Sequence, residues 1–253
     1  MLLTEKKIPL VELFGPTIQG EGAVIGLQTY FLRFGLCDYK CRLCDSMHAV
    51  DPKQVKANAQ WLTQEEILHK FLMHRFETGP SWVTFSGGNP CIYDLEYLVK
   101  RLKEFKFQIS VETQGTWAPE WVNITDSLVV SPKAPGIGEI TNIDTLDEFM
   151  YKTENHKNRS LKVVVFDQQD LEFAALIFER YSHIGFANMY LSLGNSHPPD
   201  FEGKSHIDPL ELQQILLRLY RQLYEDISIH PVLSQVKFLP QWHTFVWGND
   251  KGH

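Results

Sequence analysis

Short hydrophobic runs alternate along this chain with longer segments that carry hydrophobic residues at helical spacing. The short runs predict strands at residues 11–14, 29–34, 82–85, 107–111, 128–130, 161–166, 189–193 and 236–239. Between them, apolar residues three or four positions apart predict amphipathic helices, such as one with a buried face of Leu95, Leu98, Val99 and Leu102. Strands that alternate with helices predict a parallel sheet with right-handed crossovers, and therefore an α/β fold.

Two helix starts are marked by their own residues. Thr63 and Glu66 have the spacing of a capping box, in which each side chain accepts the backbone amide of the other. Pro209 follows Asp208 and suits the first turn of a helix. Two other segments lack periodicity: residues 45–60 are predicted to be a polar, irregular insertion, and residues 134–142, with two glycines and a proline, a mobile loop.

Several predicted strands end in small polar motifs, at residues 37–46, 86–90, 112–114 and 131–133. The active site of a βα barrel lies where its strands end, so these motifs are expected to meet at one mouth. The chain shows no internal repeat and no linker. Residues 1–253 are therefore predicted to form a single domain.

Composition narrows the range of partners. Hydrophobic residues make up 43% and charged residues 22%, which is ordinary for a globular protein, and the net charge of −7 argues against a nucleic-acid or anionic-membrane binder. No run approaches the roughly 18 apolar residues that span a bilayer. The first seven residues lack the apolar core of a signal peptide. We therefore expect a cytoplasmic protein with reduced thiols and a small-molecule substrate.

Three of the four cysteines lie within eight residues, Cys37, Cys41 and Cys44. Thiolates are soft ligands that favour iron–sulfur clusters, zinc or copper(I). A [4Fe–4S] cluster takes four thiolates, so three would leave one iron open to a substrate or cofactor. The alternatives are a zinc site and inert thiols. Cys91 has no partner nearby in sequence and is interpreted as a small buried residue.

Other motifs allow both a structural and a functional interpretation. The Ser-Gly-Gly-Asn-Pro segment at residues 86–90 is either a plain βα turn or a place where backbone approaches a ligand. Arg33 lies inside an apolar strand and needs an anionic partner, which is an internal acid or a substrate carboxylate. Ser46 is either a loop residue or a hydroxyl ligand of magnesium.

Two glycine- or aromatic-rich segments raise the same question. Residues 14–22 form either a tight turn or a substrate-embracing loop, in which Gln19 and Glu21 would contact the edge of a heterocycle. Residues 239–248 are rich in aromatic residues. They are interpreted first as a core plug, and alternatively as the carrier of His243, which would then bind a ligand.

The C-x3-C-x2-C spacing of the cysteines resembles that of radical S-adenosylmethionine enzymes, whose loop holds a [4Fe–4S] cluster. A wider set of motifs, from about residue 11 to residue 249, resembles the 7-carboxy-7-deazaguanine synthase family. These motifs are FGPTIQGEG, Arg33, CDYKCRLCDS, SGGNP, ETQGT, SPK, LKVVVF and PQWHTFVWGN. The resemblance implies the partial (β/α) TIM-like barrel of the radical S-adenosylmethionine type.

The resemblance also implies an activity. The family is a class of lyases that convert 6-carboxy-5,6,7,8-tetrahydropterin into 7-carboxy-7-deazaguanine with loss of ammonia, on the route to queuosine and other deazapurines. It uses a [4Fe–4S] cluster, S-adenosylmethionine and Mg²⁺, forms homodimers, and needs an electron donor such as flavodoxin or ferredoxin. Two alternatives stay open at this point: a radical S-adenosylmethionine activase that installs a glycyl radical, and a non-catalytic zinc module.

Residue by residue, the resemblance implies three groups of ligands. Cys37, Cys41 and Cys44 would ligate the cluster, and Ser46 would bind magnesium. The cofactor would contact Gly88, Asn89, Ser131, Pro132 and Lys133, where Asn89 replaces a glutamate common in these enzymes. The substrate would contact Ile18, Gln19, Gly20, Glu21, Arg33, Ser86 and His243.

Overall fold

The structure, a computed structural model, describes residues 6–250 and residue 252. Residues 1–5, most of the N-terminal stretch that lacks the apolar core of a signal peptide, lie outside the described residues. Among the described residues, no helix is long and apolar enough to cross a membrane.

A single mixed sheet forms the centre of the part of the chain that the structure describes. Its strands are β1 (Ile8–Ile18), β2 (Gln28–Phe34), β3 (Gln60–Leu62), β4 (Trp82–Gly87), β5 (Gln108–Thr113), β6 (Ser127–Val130), β7 (Arg159–Val165), β8 (Met189–Leu193) and β9 (Lys237–Leu239). Their spatial order is β3-β1-β2-β4-β5-β6-β7-β8-β9. Neighbours from β2 to β9 pair in parallel, as predicted. The sheet does not close, because β3 and β9 lie at opposite edges, and the fold is a partial (β/α) barrel.

The edge formed by β1 and β3 is antiparallel, which the alternating pattern did not predict. Strand β1 continues to Ile18, where it still pairs with Gln28 of β2. The first half of the predicted loop at residues 14–22 is therefore strand. Register shifts between Leu10 and Glu12 and between Phe14 and Thr17 bend this long strand at its edge position.

Eight α-helices cover the described residues of the sheet and its edges. They are α1 (Met47–Val50), α2 (Pro52–Asn58), α3 (Gln64–His74), α4 (Glu96–Glu104), α5 (Ile143–Lys152), α6 (Gln168–Arg180), α7 (Pro209–Ile229) and α8 (Trp242–Trp247). The capping box at the start of α3 is confirmed, with both reciprocal bonds of Thr63 and Glu66 present. Asp208 caps α7 ahead of Pro209, also as predicted.

Two predictions about irregular segments were wrong or incomplete, and one helix was missed. Residues 45–60 contain α1 and α2 and the first residue of β3, rather than an irregular insertion. Helix α5 has no counterpart among the predicted elements. Residues 134–142 begin with a short 3-10 turn, Pro135–Ile137, and are hydrogen-bonded to neighbouring segments, as described below.

The buried hydrophobic residues of the sheet and helices form one continuous core. Strand β7 is buried on both faces, as its unbroken apolar run predicts. The predicted stripe of α4 is also buried, with Leu95, Leu98, Val99 and Leu102 fully inaccessible to solvent. This core fixes the strands whose carboxyl ends carry the polar motifs.

Candidate active site

A cavity lies at the carboxyl ends of the parallel strands. Residues at or just after the ends of β4 to β8 line it, and they include Ser86, Thr113, Ser131, Val164 and Asn195. The cavity holds about 1570 Å³ of free space, counting the part that opens to solvent.

The cysteine loop, residues 37–44, forms one side of this cavity. Cys37, Cys41 and Cys44 all line it, and none is in a disulfide. Burial raises the pKa of each thiol, that of Cys41 to about 11, and the positive charge of Lys133 opposes the rise. Cys91 is also buried but does not line the cavity, in agreement with its interpretation as a packing residue.

The donors present fit an iron–sulfur cluster. Three soft sulfur ligands from one loop face a common space, and metal binding displaces the protons that burial otherwise retains. Another part of the wall carries a second sign of a ligand site. The hydroxyl of Ser131 is buried in the cavity wall and has no hydrogen-bond partner among the described residues, so it is available to a ligand or a water molecule.

The glycines of the 86–90 segment have a structural reason beyond the cavity. A Cβ on Gly88 would lie 1.8 Å from the carbonyl oxygen of Leu36, at the start of the cysteine loop. The backbone amide of Asn89 donates to that same oxygen at 2.9 Å. Gly88 therefore lets two backbones meet closely, and it lines the cavity.

Two of the residues predicted to contact the cofactor, Asn89 and Pro132, do not line the cavity. Asn89 is fully buried, and its side-chain oxygen accepts hydrogen bonds from the Cys91 amide and from Thr113. Its side-chain nitrogen donates to Asp38 and Thr116. Both ends of the side-chain amide are already bonded, so Asn89 has no free polar group to offer the cofactor. Instead it supports the cysteine loop through its hydrogen bond to Asp38.

Arg33 extends from β2 into the cavity wall and already has two partners. Its Nε donates to Glu12 Oε2 at 2.6 Å, and its Nη1 donates to Ser46 Oγ at 2.8 Å. The counter-charge of Arg33 is thus an internal carboxylate, which is one of the two partners that the sequence allowed, the other being a substrate carboxylate. Arg33 Nη2 has no hydrogen-bond partner within residues 6–250 and 252, which leaves one edge of the guanidinium for a ligand.

Glu12 connects this arginine to His48. Burial alone would raise the pKa of Glu12, but the adjacent His48 and Arg33 outweigh burial and lower it to about 2. His48 Nε2 lies 3.3 Å from Glu12 Oε2, an ion-pair contact when the imidazole is protonated rather than a hydrogen bond, and neither buried ring nitrogen has a hydrogen-bond partner in the described chain. Ser46 donates to Asp45 Oδ1 at 3.0 Å. These five polar side chains form a connected group in the wall.

The most deeply buried charges of the cavity are Glu21 and Lys162, each less than a tenth exposed. Lys162 donates to one carboxylate oxygen of Glu21, and Gln241 donates to the other. Burial alone would raise the pKa of Glu21, but the positive charges of Lys162 and His243 hold it well below its usual value. Burial would likewise lower the pKa of Lys162, and the charges of Glu21 and Glu112 raise it instead. Both groups are therefore ionised at neutral pH.

Gln19 reaches across the cavity toward β5. Its side-chain nitrogen donates to Glu112 Oε1 at 3.3 Å, and its oxygen accepts the backbone amide of Glu21 at 3.2 Å. Ile18 and Gly20 line the cavity beside it. The second half of the 14–22 segment thus lines the cavity, and its contact with a substrate stays a prediction.

The C-terminal segment closes on this loop. A Cβ on Gly20 would lie 2.6 Å from His243 Nδ1, and the Trp242 amide donates to the Gly20 carbonyl at 3.1 Å. Gln241 and His243 line the cavity as a result. Trp242 is 48% exposed, so the interpretation of residues 239–248 as a core plug is wrong for this ring.

Several polar lining residues were given no individual role from the sequence. Asp45, Glu112 and Gln114 lie within motifs that were predicted to meet at the mouth, whereas the others were not singled out, and they are Glu12, His48, Lys162, Asn195 and Gln241. Lys162 had a usable signal, because it interrupts an apolar strand in the same way as Arg33. Glu112 and Gln114 end a predicted strand, which also indicates the cavity. Glu12 and His48 have no such signal.

The open barrel with a three-cysteine loop at the strand ends defines a radical S-adenosylmethionine enzyme, which uses S-adenosylmethionine and a [4Fe–4S] cluster. A sequence model of the Radical SAM superfamily matches residues 32–131. The solved structure of QueE from Escherichia coli has a TM-score of 0.60, covers 94% of this chain and 95% of its own, and is 19% identical, a likeness of fold.

Two curated relatives of nearly equal length are named 7-carboxy-7-deazaguanine synthase. The protein from Bacillus subtilis is 39% identical over 98% of this chain and 99% of its own. The protein from Bacillus cereus is 38% identical over 97% and 99%. The chain belongs to the 7-carboxy-7-deazaguanine synthase family. These relatives do not favour a glycyl-radical activase or a zinc module.

Proposed function

We propose that this protein catalyses the radical ring contraction of 6-carboxy-5,6,7,8-tetrahydropterin to 7-carboxy-7-deazaguanine with loss of ammonia, a step toward queuosine and related deazapurines. The observation that supports this activity most is the shared cavity. It joins a three-thiol loop to a wall with fixed positive and negative side chains. The whole chain, residues 1–253, acts as one domain in this proposal.

Arg33 and Ser46 form the carboxylate end of the substrate site. The unpaired Nη2 of the Arg33 guanidinium donates a charge-assisted hydrogen bond to the substrate carboxylate. Glu12 fixes the opposite edge at 2.6 Å, so the guanidinium loses little freedom when substrate binds. Mg²⁺ is assigned to Ser46 with Asp45 beside it, since magnesium prefers oxygen ligands and keeps several waters.

Glu21, Gln19 and His243 form the heterocycle end, with Ile18, Gly20 and Ser86 as neighbouring wall. An ionised carboxylate accepts hydrogen bonds from the amino and ring N–H groups of a pterin. Lys162 and Gln241 hold the Glu21 carboxylate in place from the far side. This arrangement favours a small planar substrate with a donor edge at one end and a carboxylate at the other.

Cys37, Cys41 and Cys44 hold the cluster, and Gly88, Ser131 and Lys133 contact S-adenosylmethionine. When bound, the cluster and S-adenosylmethionine supply the one-electron chemistry and the radical that abstracts hydrogen from C6 of the pterin. The protein residues place C6 beside the cofactor, clamp both ends of the substrate and exclude water. Asn89 contributes through its hydrogen bond to Asp38 of the cysteine loop, and Pro132 as the residue between Ser131 and Lys133.

The proposal includes partners and a location. A homodimer in the cytoplasm, reduced by a donor such as flavodoxin or ferredoxin, is consistent with the family. The described residues contain no membrane-spanning helix.

The test is an anaerobic assay of the reconstituted protein with a reductant, S-adenosylmethionine, Mg²⁺ and 6-carboxy-5,6,7,8-tetrahydropterin, read by mass spectrometry. The expected product is 7-carboxy-7-deazaguanine. Formation of 5′-deoxyadenosine without that product would keep the radical chemistry and overturn the substrate. If protein with a confirmed cluster formed neither 7-carboxy-7-deazaguanine nor 5′-deoxyadenosine, the proposed activity would be overturned.

A further inference from the structure

Residues 134–142 lie directly against the cysteine loop. The carbonyl oxygen of Ile137 accepts the backbone amides of Arg42, at 2.8 Å, and of Leu43, at 3.3 Å. The carboxylate of Glu139 accepts the backbone amide of Lys40 at 2.6 Å. Three amides of the loop that presents the three thiols are therefore bonded to one neighbouring segment.

The same segment is tied to the barrel by a buried carboxylate. Asp170, near the start of α6, is completely buried. Its Oδ1 accepts the amide of Gly136 at 2.7 Å, and its Oδ2 accepts the amide of Phe166 at 2.8 Å. At the other end, Thr141 Oγ1 accepts the amide of Lys133 at 2.7 Å and donates to its carbonyl at 3.0 Å.

Two glycines stand where the segment touches its neighbours. A Cβ on Gly136 would lie 2.4 Å from Asp170 Oδ2. Gly138 has a φ of 87°, and a Cβ there would lie 2.8 Å from the Cβ of Arg42. These glycines allow the segment to pack closely on both sides, which a freely moving loop would not require.

We propose that residues 134–142 are a clamp that holds the cysteine loop in its cluster-binding conformation, with Glu139 and Asp170 as its positioning residues. Neither side chain lines the cavity, so both act through the loop backbone. A loop that is already fixed loses less conformational entropy when its three thiolates bind a cluster. This inference rests on the proposed assignment of the three cysteines as ligands.

The test compares Glu139→Ala and Asp170→Asn with the wild type. Glu172→Gln, an exposed change on the same helix as Asp170, is the matched control. Iron release from the anaerobically reconstituted full-length enzyme to a chelator is one readout. Hydrogen exchange at the amides of residues 40, 42 and 43, with and without cluster, is the other.

Iron release and exchange at these amides should both rise about tenfold or more in Glu139→Ala and Asp170→Asn, because a buried or charge-assisted hydrogen bond is lost. An amide has one acceptor oxygen where the Asp170 carboxylate has two, so one of its two backbone partners is left unbonded. Glu139→Gln keeps an acceptor and should lie between Glu139→Ala and the wild type. Glu172→Gln should match the wild type.

Wild-type iron release and exchange in both clamp variants would overturn the proposal. A uniform rise in exchange along the whole chain would also overturn it, because that result indicates general destabilisation. Failure of the ligand assignment would show elsewhere, as a Cys41→Ala protein that still assembles a cluster. Hydrogen exchange at the amides of residues 40, 42 and 43 in the cluster-free protein tests the clamp independently of that outcome.

Discussion

The two sides of the cavity are held in place by different interactions. On the cysteine side, neutral backbone amides bond to residues 134–142, and the thiols line the cavity with pKa values that burial raises. On the substrate side, the polar groups are already paired, Arg33 with Glu12 and Lys162 with Glu21.

This difference separates what the protein fixes in advance from what a cofactor completes. Paired charges inside a protein are oriented before any ligand arrives, which is the arrangement that positions a substrate at little cost. Thiols that are protonated when empty become ligands only when a metal displaces their protons. The charged side chains of the substrate side are therefore expected to be in place without cofactor. On the cysteine side the loop backbone is held by residues 134–142, and only the conversion of the three thiols into ligands depends on the metal.

The largest expected effect is on the cysteine side. Cys41→Ala should give colourless protein without a cluster and without detectable turnover, because two thiolates do not hold a cluster with one open iron. Iron and sulfide analysis with visible absorbance checks this. Circular dichroism and melting should stay close to those of the cluster-free wild type. An intact cluster in Cys41→Ala would contradict the ligand assignment.

The next largest effect is expected from a substitution that breaks the most deeply buried charge pair of the substrate side, Lys162 with Glu21. Lys162→Met leaves the Glu21 carboxylate buried without its partner, and we expect the free energy of unfolding to fall by about 3–5 kcal/mol. Adding Glu21→Gln should recover much of that loss, and the double-mutant cycle gives the coupling. Denaturant unfolding measures it, with the exposed Lys157→Met as control. Equal stability of Lys162→Met and wild type would show that the pair contributes little.

Arg33→Ala should weaken substrate binding by about 2–5 kcal/mol, the usual loss when one partner of a buried charged pair is truncated. Cluster assembly and S-adenosylmethionine binding should be retained. Equilibrium binding of the carboxypterin to the reconstituted protein checks this, with the exposed Arg221→Ala as control. Wild-type affinity in Arg33→Ala would refute its role as the carboxylate clamp.

The smallest expected effect is a pH dependence due to Glu12. Its pKa falls from an ordinary value of 4.5 to about 2 in the folded protein, so its contribution to stability is complete above about pH 4.5 and is lost as the pH falls toward 2. Between these values the wild type should lose on the order of 2 kcal/mol more stability than Glu12→Gln. Acid unfolding of the cluster-free proteins measures the difference. Parallel curves would mean that Glu12 is not held ionised.

Local patterns predicted much of the fold. The apolar run at residues 189–193 has the bounds of β8, and the capping box of Thr63 marks the start of α3. Asp51 and Pro52 start α2 with the same signal as Asp208 and Pro209, so the start of α2 could also have been predicted from the sequence. The length of β1 could not have been predicted, because it depends on pairing with β2 across a loop.

The residues of the site also divide into those that the sequence indicates and those that it does not. Arg33 and Lys162 can be recognised as charged residues inside apolar strands. Their partners cannot be read from spacing, because Glu12 lies 21 residues from Arg33 and Glu21 lies 141 residues from Lys162. The clamp on the cysteine loop was missed for a related reason. Glycine and proline at residues 134–142 indicate a turn, but the acceptors that fix it come from a distant helix and from the segment's own carbonyl groups.

The central claim is that the cysteine side and the charged side form one active site, with C6 of the pterin beside the 5′ carbon of S-adenosylmethionine. The most direct test uses 6-carboxytetrahydropterin deuterated at C6, under turnover, with mass spectrometry of the adenosyl nucleosides. The account predicts deuterium at the 5′ position of 5′-deoxyadenosine or recovered S-adenosylmethionine. Formation of 7-carboxy-7-deazaguanine with no deuterium in either nucleoside would contradict it.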